Sequence, residues 1–290
     1  PRTPFFFFFY TYIPHAPYDP PAYTLERLGL NVERGFTREE KFEILRNRTQ
    51  LPKERVEEIT AAYAAGILHA DTVLARLLED LERAGMTDST LLVVTSDHGE
   101  EIFERGFYIG HAFYINNAIS HVPLIFRFPG EIESGAVIEP VISLVHFFPT
   151  VLDLLGVEYA GPLDGVSLAP LLRGEGGAPP PDAVTETFSQ PGYHKMSLRS
   201  DRWHYIFHRE GQPAGPGEVP AGPPEELYVP SSDPFERNNL ADDPRRRDIM
   251  DICRKQLMEW HGAHPLGRDV EELKRDQAFI NRMKELGYVQ

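Results

Sequence analysis

The sequence predicts an α/β fold followed by a small antiparallel sheet. Residues 91–94 form a short, wholly apolar run with β-branched members and no polar alternation, which fits a strand buried on both faces of a parallel sheet. Residues 53–84 before it carry apolar side chains at helical spacing. Three later segments, 183–188, 194–199 and 203–208, alternate apolar and polar residues as antiparallel strands do.

The chain begins with an aromatic run, residues 5–10 (FFFFFY), within an apolar segment from Pro4 to Pro14 that also holds Tyr12 and Ile13. It lacks the basic region and small-residue cleavage site of a secretory signal, and a transmembrane span needs about 20 apolar residues. We therefore expect a buried strand here. Residues 14–21 (PHAPYDPP) follow as a stiff loop, because each proline fixes its own φ and restricts the residue before it, and this loop holds His15.

The middle of the chain contains two predicted helices and a further strand. Thr37 and Glu40 have the spacing of a capping box, which predicts a helix from Arg38 to about Asn47. Gly85 is expected to end the long helix over 53–84. Residues 122–128 are predicted as a second buried strand and 144–155 as a helix.

Residues 174–181 (GEGGAPPP) have the composition of a linker. We expect a core domain over 1–175 and a small antiparallel-sheet subdomain over 182–265. The last strand of that sheet is predicted at 226–228, and a closing helix at 244–260. Residues 266–290 are predicted as a terminal helical tail, with its helix over 269–286, and residues 211–224 as a Pro/Gly-rich insertion.

Polar residues follow the predicted strand at 91–94. Asp97 and His98 lie at its carboxyl end, where open α/β sheets place ligand sites, and Gly99 allows a sharp turn. A carboxylate beside an imidazole makes half of a divalent metal site, although the same two residues could instead cap a helix and turn the chain. His111 lies beyond a glycine-containing loop and could return to the same crevice.

Charge and cysteine content exclude some functions. A formal net charge of −15 argues against nucleic acid or an anionic membrane as a partner. An anionic substrate would have to be held by local cations. Cys253 is the single cysteine, so no intrachain disulfide is possible, and its helical surroundings predict a small core residue.

Several segments together resemble the sulfatase family of the alkaline phosphatase superfamily. TSDHGE, the later GH and HVPLIFRFPG are similar to the second half of that family, and FFFFFYTYIPHAPYDPP to its strand with a His-x-Pro-Tyr-x-x-Pro loop. PTVLDLLGV, LDGVSLAPLLRG and ELYVPSSDPFERNNLADDP follow in the family's order. The resemblance implies a mixed, mostly parallel sheet sandwiched by helices, with a small C-terminal antiparallel α+β subdomain.

The resemblance also implies site roles. Asp97 and His98 would be metal ligands for one divalent cation (calcium, manganese or magnesium), with the histidine favouring manganese. His15 and His111 would be catalytic, flanking the sulfate, and one of them would protonate the departing alcohol. Many family members carry Lys where His111 stands, so the histidine makes the activity pH-sensitive.

The family's nucleophile is a formylglycine made in a Cys/Ser-x-Pro-x-Arg motif. Cys253 is followed by Arg-Lys-Gln and no serine stands in such a motif. We therefore expect the formylglycine in a missing N-terminal half, and this chain to be the C-terminal part of a longer enzyme, inactive alone.

The expected function is hydrolysis of a small-molecule or glycan sulfate ester through a metal-assisted covalent intermediate. A phosphonate or phosphate ester hydrolase or transferase of the same superfamily, and a non-catalytic anion-binding module, are the alternatives. We expect no membrane span in the chain; compartment and oligomeric state are not predicted. Glu100 is expected to be a supporting or capping group, Glu101 solvated and Lys195 close to the cleft, and no catalytic role is assigned to His146.

Overall fold

The computed structural model describes residues 3–32, 35–47, 49–106, 108–111, 114–177, 180–190, 193–208, 224–264 and 281. The chain divides into two compact units, Pro1–Asp242 and Asp243–Gln290. The predicted boundaries at 175, 182 and 265 stay predictions. The predicted insertion, apart from Pro224, and the predicted helix over 269–286, apart from Asn281, lie outside the described residues.

Helices and strands are interspersed along the first unit. The helices are α1 (Ala22–Leu28), α2 (Arg38–Asn47), α3 (Lys53–Arg83), α4 (Asn117–Ser120), α5 (Phe147–Leu154) and α6 (Ala169–Leu172). The strands are β1 (Leu92–Thr95), β2 (Glu101–Ile102), β3 (Ile109–Gly110), β4 (Leu124–Arg127), β5 (Ala183–Gln190), β6 (Tyr193–Arg199), β7 (His204–His208) and β8 (Glu225–Tyr228).

Helices α2 and α3 agree with the prediction. Thr37 caps α2, since its Oγ1 accepts the backbone N–H of Glu40 at 3.1 Å. Arg55 joins the two helices, because its guanidinium contacts Glu40 Oε2 at 2.8 Å and Glu58 Oε2 at 2.7 Å. After α3, Gly85 adopts a φ of 62°, which favours glycine.

The main core lies between α3 and the segments that precede and follow it. Its members are buried apolar side chains drawn from four parts of the chain: Tyr18, Phe36, Ile44, Ile59, Ala62, Ile102 and Ile109. Tyr18 and Phe36 stack with ring centroids 5.4 Å apart. This cluster fixes the loop that carries His15 against the β2–β3 hairpin.

The predicted parallel arrangement is not confirmed. All strand pairings among the described residues are antiparallel, in the sheets β1-β4, β2-β3 and β5-β6-β7-β8. The strands expected to be buried on both faces, β1 and β4, are only partly buried, and Ile125 of β4 is 56% exposed. Their faces are therefore incompletely covered, and among the described residues the two strands pair only with each other.

The aromatic run is not a buried strand, which corrects the prediction. Residues 5–10 form no strand, and their side chains are exposed, up to 89% at Phe6. A buried strand needs partners for its backbone N–H and C=O groups. No strand in the described part of the chain pairs with this run.

The small antiparallel sheet forms as predicted, with strand order β5-β6-β7-β8. Its central strands bury Met196, Leu198, Tyr205 and Ile206, and Leu227 of β8 is fully buried. The segments predicted from the alternating sequence pattern therefore fall on observed strands, although β7 buries four of its five residues.

The second unit contains helix α7 (Arg247–Ala263), preceded by a 3₁₀ turn over Pro244–Arg246. Met250, Cys253 and Leu257 are its buried residues and share one face, which confirms Cys253 as a buried side chain. Across the residues that the structure describes, no helix has both the length and the apolar character required to cross a bilayer.

Candidate functional site

The site loop (residues 95–99) follows β1 directly and presents Asp97 and His98. Its turn is held by its own polar groups: the His98 backbone N–H donates to Asp97 Oδ1 at 3.1 Å, and Ser96 Oγ donates to the His98 carbonyl at 2.6 Å. No helix begins at this loop, because residues 96–100 are followed by strand β2. The alternative is thus met only in its second half: the two residues turn the chain but cap no helix.

Three histidines that are far apart in the sequence form one imidazole cluster (His15, His98 and His111). The His98 and His111 rings stack with centroids 3.8 Å apart. His15 lies over both, at 5.0 Å from His111 and 6.4 Å from His98. The structure thus brings together all four residues singled out in the sequence, because Asp97 adjoins His98.

The hydrogen bonds of the cluster define which ring nitrogen carries a proton. His15 Nδ1 lies 2.6 Å from the Ala16 carbonyl and His98 Nδ1 lies 2.9 Å from the Gly99 carbonyl. A carbonyl oxygen can only accept, so in both neutral rings Nδ1 is the protonated nitrogen and Nε2 has a lone pair. This is the tautomer that binds a metal or accepts a proton through Nε2.

Glu100 is a buried acceptor beneath the cluster. Its Oε1 lies 2.5 Å from His111 Nδ1, and its Oε2 accepts the Tyr18 hydroxyl at 2.5 Å. The Lys41 ammonium lies close to the Glu100 carboxylate. Both groups border Gly110, because a Cβ added there would be 2.4 Å from Lys41 Nζ and 3.9 Å from Glu100 Oε2. Glu100 therefore orients His111, which agrees with a supporting rather than a reacting role.

Burial and charge shift the protonation of this pair. Burial by itself would raise the pKa of Glu100, but the hydrogen bond from His111 and the charge of Lys41 outweigh it and the pKa lies below its usual value. Burial lowers the pKa of His111, and the hydrogen bond with Glu100 opposes that effect only in part. At neutral pH the arrangement is a Glu100 carboxylate that accepts Nδ1–H from a neutral His111.

The donor atoms fit a divalent cation. Asp97 Oδ2 and His98 Nε2 are 3.9 Å apart, a separation that one ion can bridge, and His98 Nδ1–H is anchored on a carbonyl as metal-binding imidazoles usually are. A second set, His15, Glu100 and His111, has ligand atoms within 4.8 Å of one another. Glu100 in that set already accepts two hydrogen bonds, so Asp97 and His98 offer the better pair.

A cavity of about 80 Å³ opens at the cluster. Its lining combines aromatic, hydroxyl, carboxylate and imidazole groups: Tyr10, Thr11, Tyr12, Pro14, His15, Tyr63, Ser96, Asp97, His98 and Glu100. Imidazole nitrogens and a carboxylate around one small polar cavity suit an anion held with a cation.

Two expectations for side chains near the site are wrong. Glu101 is fully buried and pairs with Arg105 Nη2 at 2.7 Å, so it is not solvated. Lys195 is also buried, with its ammonium 4.3 Å from the Tyr114 ring centroid, and it does not line the cavity. Glu101 is thus paired within its own segment, and Lys195 packs on a ring that is distant in the sequence.

From the sequence, no catalytic role is expected for His146, and the contacts of its side chain in the structure are with backbone. Its Nδ1 accepts the Val166 backbone N–H at 3.0 Å, and burial lowers its pKa. Sequence reasoning missed Tyr18 and Lys41 at the candidate site. Tyr18 stands in the proline-rich loop quoted above, which was a usable signal, but no local pattern marks Lys41.

Two family models match the chain. The model described as Sulfatase matches residues 1–157. The model described as N-sulphoglucosamine sulphohydrolase, C-terminal, matches residues 104–262. Together they cover the site loop, the imidazole cluster and the small sheet.

Curated relatives are sulfatases. The choline-sulfatase of Rhizobium meliloti is 32% identical over 197 residues, which are 67% of this chain and 35% of that protein. The N-acetylglucosamine-6-O-sulfatase of Bacteroides thetaiotaomicron is 38% identical over 230 residues, 75% of this chain and 39% of that protein. The arylsulfatase K of Gallus gallus is 30% identical over 200 residues, which are 66% of this chain and 35% of that protein. The chain thus spans little more than a third of the length of these relatives.

Solved structures share the fold. A 2-O GAG sulfatase has a TM-score of 0.63 and 26% identity, covering 74% of this chain and 45% of that chain. The phosphonate monoester hydrolase of Agrobacterium radiobacter has a TM-score of 0.66 and 23% identity, and the match covers 87% of this chain and 55% of that chain. The second likeness concerns the fold alone.

Proposed function

The chain belongs to the sulfatase family of the alkaline phosphatase superfamily, and from that membership we propose that it supplies the Asp97 and His98 part of a site that hydrolyses sulfate esters. The observation that carries the proposal is that His15, Asp97 and His98 line one cavity, with the His111 ring stacked on His98 and next to His15. The three imidazoles come from separate segments of the chain, so the fold itself brings them together.

Asp97 Oδ2 and His98 Nε2 would hold the divalent cation, which we propose to be calcium, manganese or magnesium. When bound, the cation supplies Lewis-acid stabilisation of a sulfate oxygen. The Gly99 carbonyl keeps His98 Nε2 unprotonated for this purpose. The histidine favours a borderline ion such as manganese over calcium.

His15 and His111 would contact the sulfate and the departing alcohol. Both neutral rings carry their proton on Nδ1, where Ala16 and Glu100 accept it. Donation from Nε2 therefore requires the doubly protonated ring. Because burial lowers the pKa of His111, a role as proton donor is favoured on the acidic side of neutrality.

The nucleophile is proposed to come from polypeptide outside these 290 residues. Cys253 lies in α7 with only 7% of its surface exposed and is followed by Arg254 and Lys255. Its sequence therefore departs from the motif that yields formylglycine. We expect this chain, by itself, to bind a cation and an anion without turning over an ester.

Sulfate is the proposed ester class because the relatives at 30% identity or more are named as sulfatases. Among them are enzymes named for choline, aryl and N-acetylglucosamine sulfates, so a small-molecule or glycan sulfate is the substrate we propose. The phosphonate alternative has only likeness of fold behind it.

The proposal is tested by titrating the 290-residue chain with Mn²⁺ in a calorimeter. We expect one site per chain, lost in Asp97→Asn and weakened by about tenfold or more in His98→Ala, because each removes a ligand. His69→Ala is the matched control, since His69 contacts Tyr23 rather than the cluster. Equal binding by all four proteins would refute the metal site, and turnover of an aryl sulfate by this chain would refute the external nucleophile.

A further inference from the structure

Glu236 is a buried carboxylate in the segment that follows β8. It is 1% exposed and adopts a φ of 52°, unusual for a residue with a side chain. Its Oε1 lies 2.5 Å from Nδ1 of His204, the first residue of β7. Its Oε2 accepts the backbone N–H of Asn117 at 2.8 Å. Glu236 therefore links the small sheet to the first residue of α4.

The same segment makes a second bond to α4. Asn117 Nδ2 donates to the Pro234 carbonyl at 3.1 Å. Asn117 is thus held by its backbone N–H and by its side chain, both from residues 234–236. A helix of four residues has few hydrogen bonds of its own, so these two bonds, together with the packing of buried Ile119, hold α4 in place.

The other side of α4 holds the site loop. The Gly99 N–H donates to the Ile119 carbonyl at 2.7 Å. A Cβ on Gly99 would lie 2.2 Å from the Ala118 carbonyl oxygen, so the backbones of the loop and the helix touch. The Gly99 carbonyl in turn lies at His98 Nδ1.

We propose that Glu236 is a positioning residue for the Asp97 and His98 loop, and that it acts through α4. The connection runs from the Glu236 carboxylate to Asn117 N–H, along α4 to the Ile119 carbonyl, and from there to Gly99 and His98. This inference rests on the proposed function, because its consequence is the geometry of the metal ligands. The small sheet then does more than complete the fold: one of its loops sets the shape of the cation site.

A buried carboxylate also stabilises the fold wherever it finds partners, so stability alone does not test the proposal. The readouts must follow the site loop itself. One is the Mn²⁺ affinity of the 290-residue chain. The other is hydrogen exchange of the Gly99 amide, which requires no metal and reports the Gly99 to Ile119 bond directly.

The test compares wild type with three variants. Glu236→Ala removes both hydrogen bonds of the carboxylate. The backbone strain at the positive φ stays the same, because alanine and glutamate both have a Cβ. We expect a loss of Mn²⁺ affinity of about tenfold or more and faster exchange at Gly99. Glu236→Gln keeps an oxygen for Asn117 N–H, and we expect it to restore the affinity to within about threefold of wild type. Leu227→Val is the control, because it trims a fully buried side chain of β8 and leaves the hydrogen bonds of Glu236 and Asn117 in place.

The outcomes separate the two proposals. Unchanged affinity and exchange in Glu236→Ala, or an equal loss in Leu227→Val, would overturn the positioning role. If wild type binds no Mn²⁺, the metal proposal fails, and the exchange rate at Gly99 still decides the role of Glu236. If Glu236→Ala does not fold, Asn117→Ala probes the same link, because it deletes the bond to the Pro234 carbonyl. We then expect faster hydrogen exchange at the Gly99 amide in Asn117→Ala. An exchange rate equal to that of wild type would count against the positioning role.

Discussion

Gly99 is a residue at which the chain geometry leaves no room for a side chain. Its N–H bonds to Ile119, and the space where a side chain would begin is occupied by the Ala118 carbonyl at 2.2 Å. The obstacle is backbone, which cannot rotate away as a flexible side chain can. A glycine is therefore required here for close approach.

Gly99→Ala should push the site loop away from α4. We expect a loss of about 1–3 kcal/mol in the free energy of unfolding and a lower Mn²⁺ affinity, measured by thermal denaturation and calorimetry. Gly262→Ala is the control: it lies within α7 with nothing within 4 Å of the added Cβ, so stability should be unchanged or higher by up to about 1 kcal/mol. A Gly99→Ala protein with wild-type affinity would contradict the close contact.

At the scale of residues, sequence reasoning found the groups with distinctive chemistry and missed their supports. Asp97, His98, His15 and His111 were identified from their motifs, and the structure places them together. Their partners escaped because the bonds join distant positions: Tyr18 and Glu100 are 82 residues apart. Nothing local to Lys41 or Glu236 indicates such a contact.

At the scale of elements, sequence periodicity predicted the helices and strands that local patterns determine. The long helix was expected over 53–84 and spans Lys53–Arg83, and three strands of the small sheet, β5, β6 and β7, fall where alternation placed them. The predictions failed for apolar runs without alternation. Such runs indicate burial, but the covering partners have to be present, and residues 5–9 remain exposed in the described chain.

The small sheet also contains a buried network of charges around Glu226. His208 Nε2 lies 2.8 Å from Oε1, and the Tyr228 hydroxyl donates to Oε2 at 2.5 Å. Burial opposes ionisation, but these hydrogen bonds and the charge of Lys195 lower the pKa of Glu226 to about 2. The ionised carboxylate therefore stabilises the fold.

This network predicts an acid-sensitive sheet. The pKa of Glu226 is lower in the folded state than its ordinary value of 4.5, so its stabilisation is complete above pH 4.5 and is lost as the pH falls toward 2. The loss amounts to about 3 kcal/mol, and Glu226→Gln should be less stable at neutral pH and lose its share of this dependence. Thermal unfolding followed by circular dichroism between pH 2 and 7 measures it. Glu57→Gln, on the exposed face of α3, should keep the wild-type profile; a Glu226→Gln curve parallel to wild type would contradict the assignment.

At the scale of the whole molecule, the aromatic run is the most unusual surface feature. Phe6 is 89% and Phe8 74% exposed, and the neighbouring Tyr10 lines the site cavity. Contiguous apolar surface of this kind is rare on monomers and promotes association. The run is also rich in residues with high β-propensity and has no charge, a composition that favours aggregation.

We expect the wild-type chain to bind a hydrophobic dye and to self-associate, and the double variant Phe6→Lys with Phe8→Lys to do both far less. Size-exclusion chromatography with light scattering, and dye fluorescence, measure the two effects. Val137→Lys is the control, because Val137 is 75% exposed but stands alone. A monomeric wild type with no dye signal would contradict the prediction.

The overall arrangement could be predicted from the sequence only through family resemblance. Local patterns named the elements, but which strand neighbours which depends on pairings between distant segments. The antiparallel partnership of β1 with β4, Val93 opposite Phe126, has no local signal in either strand.

The stacked rings of His98 and His111 have a consequence for how much positive charge the cavity can accumulate. Their centroids are 3.8 Å apart, and a proton on His98 adds to the burial that disfavours one on His111. Face-to-face cations at that spacing repel strongly where water is scarce. A positive charge on His98 therefore makes a proton on His111 less favourable, so the stacked pair resists carrying two positive charges at once.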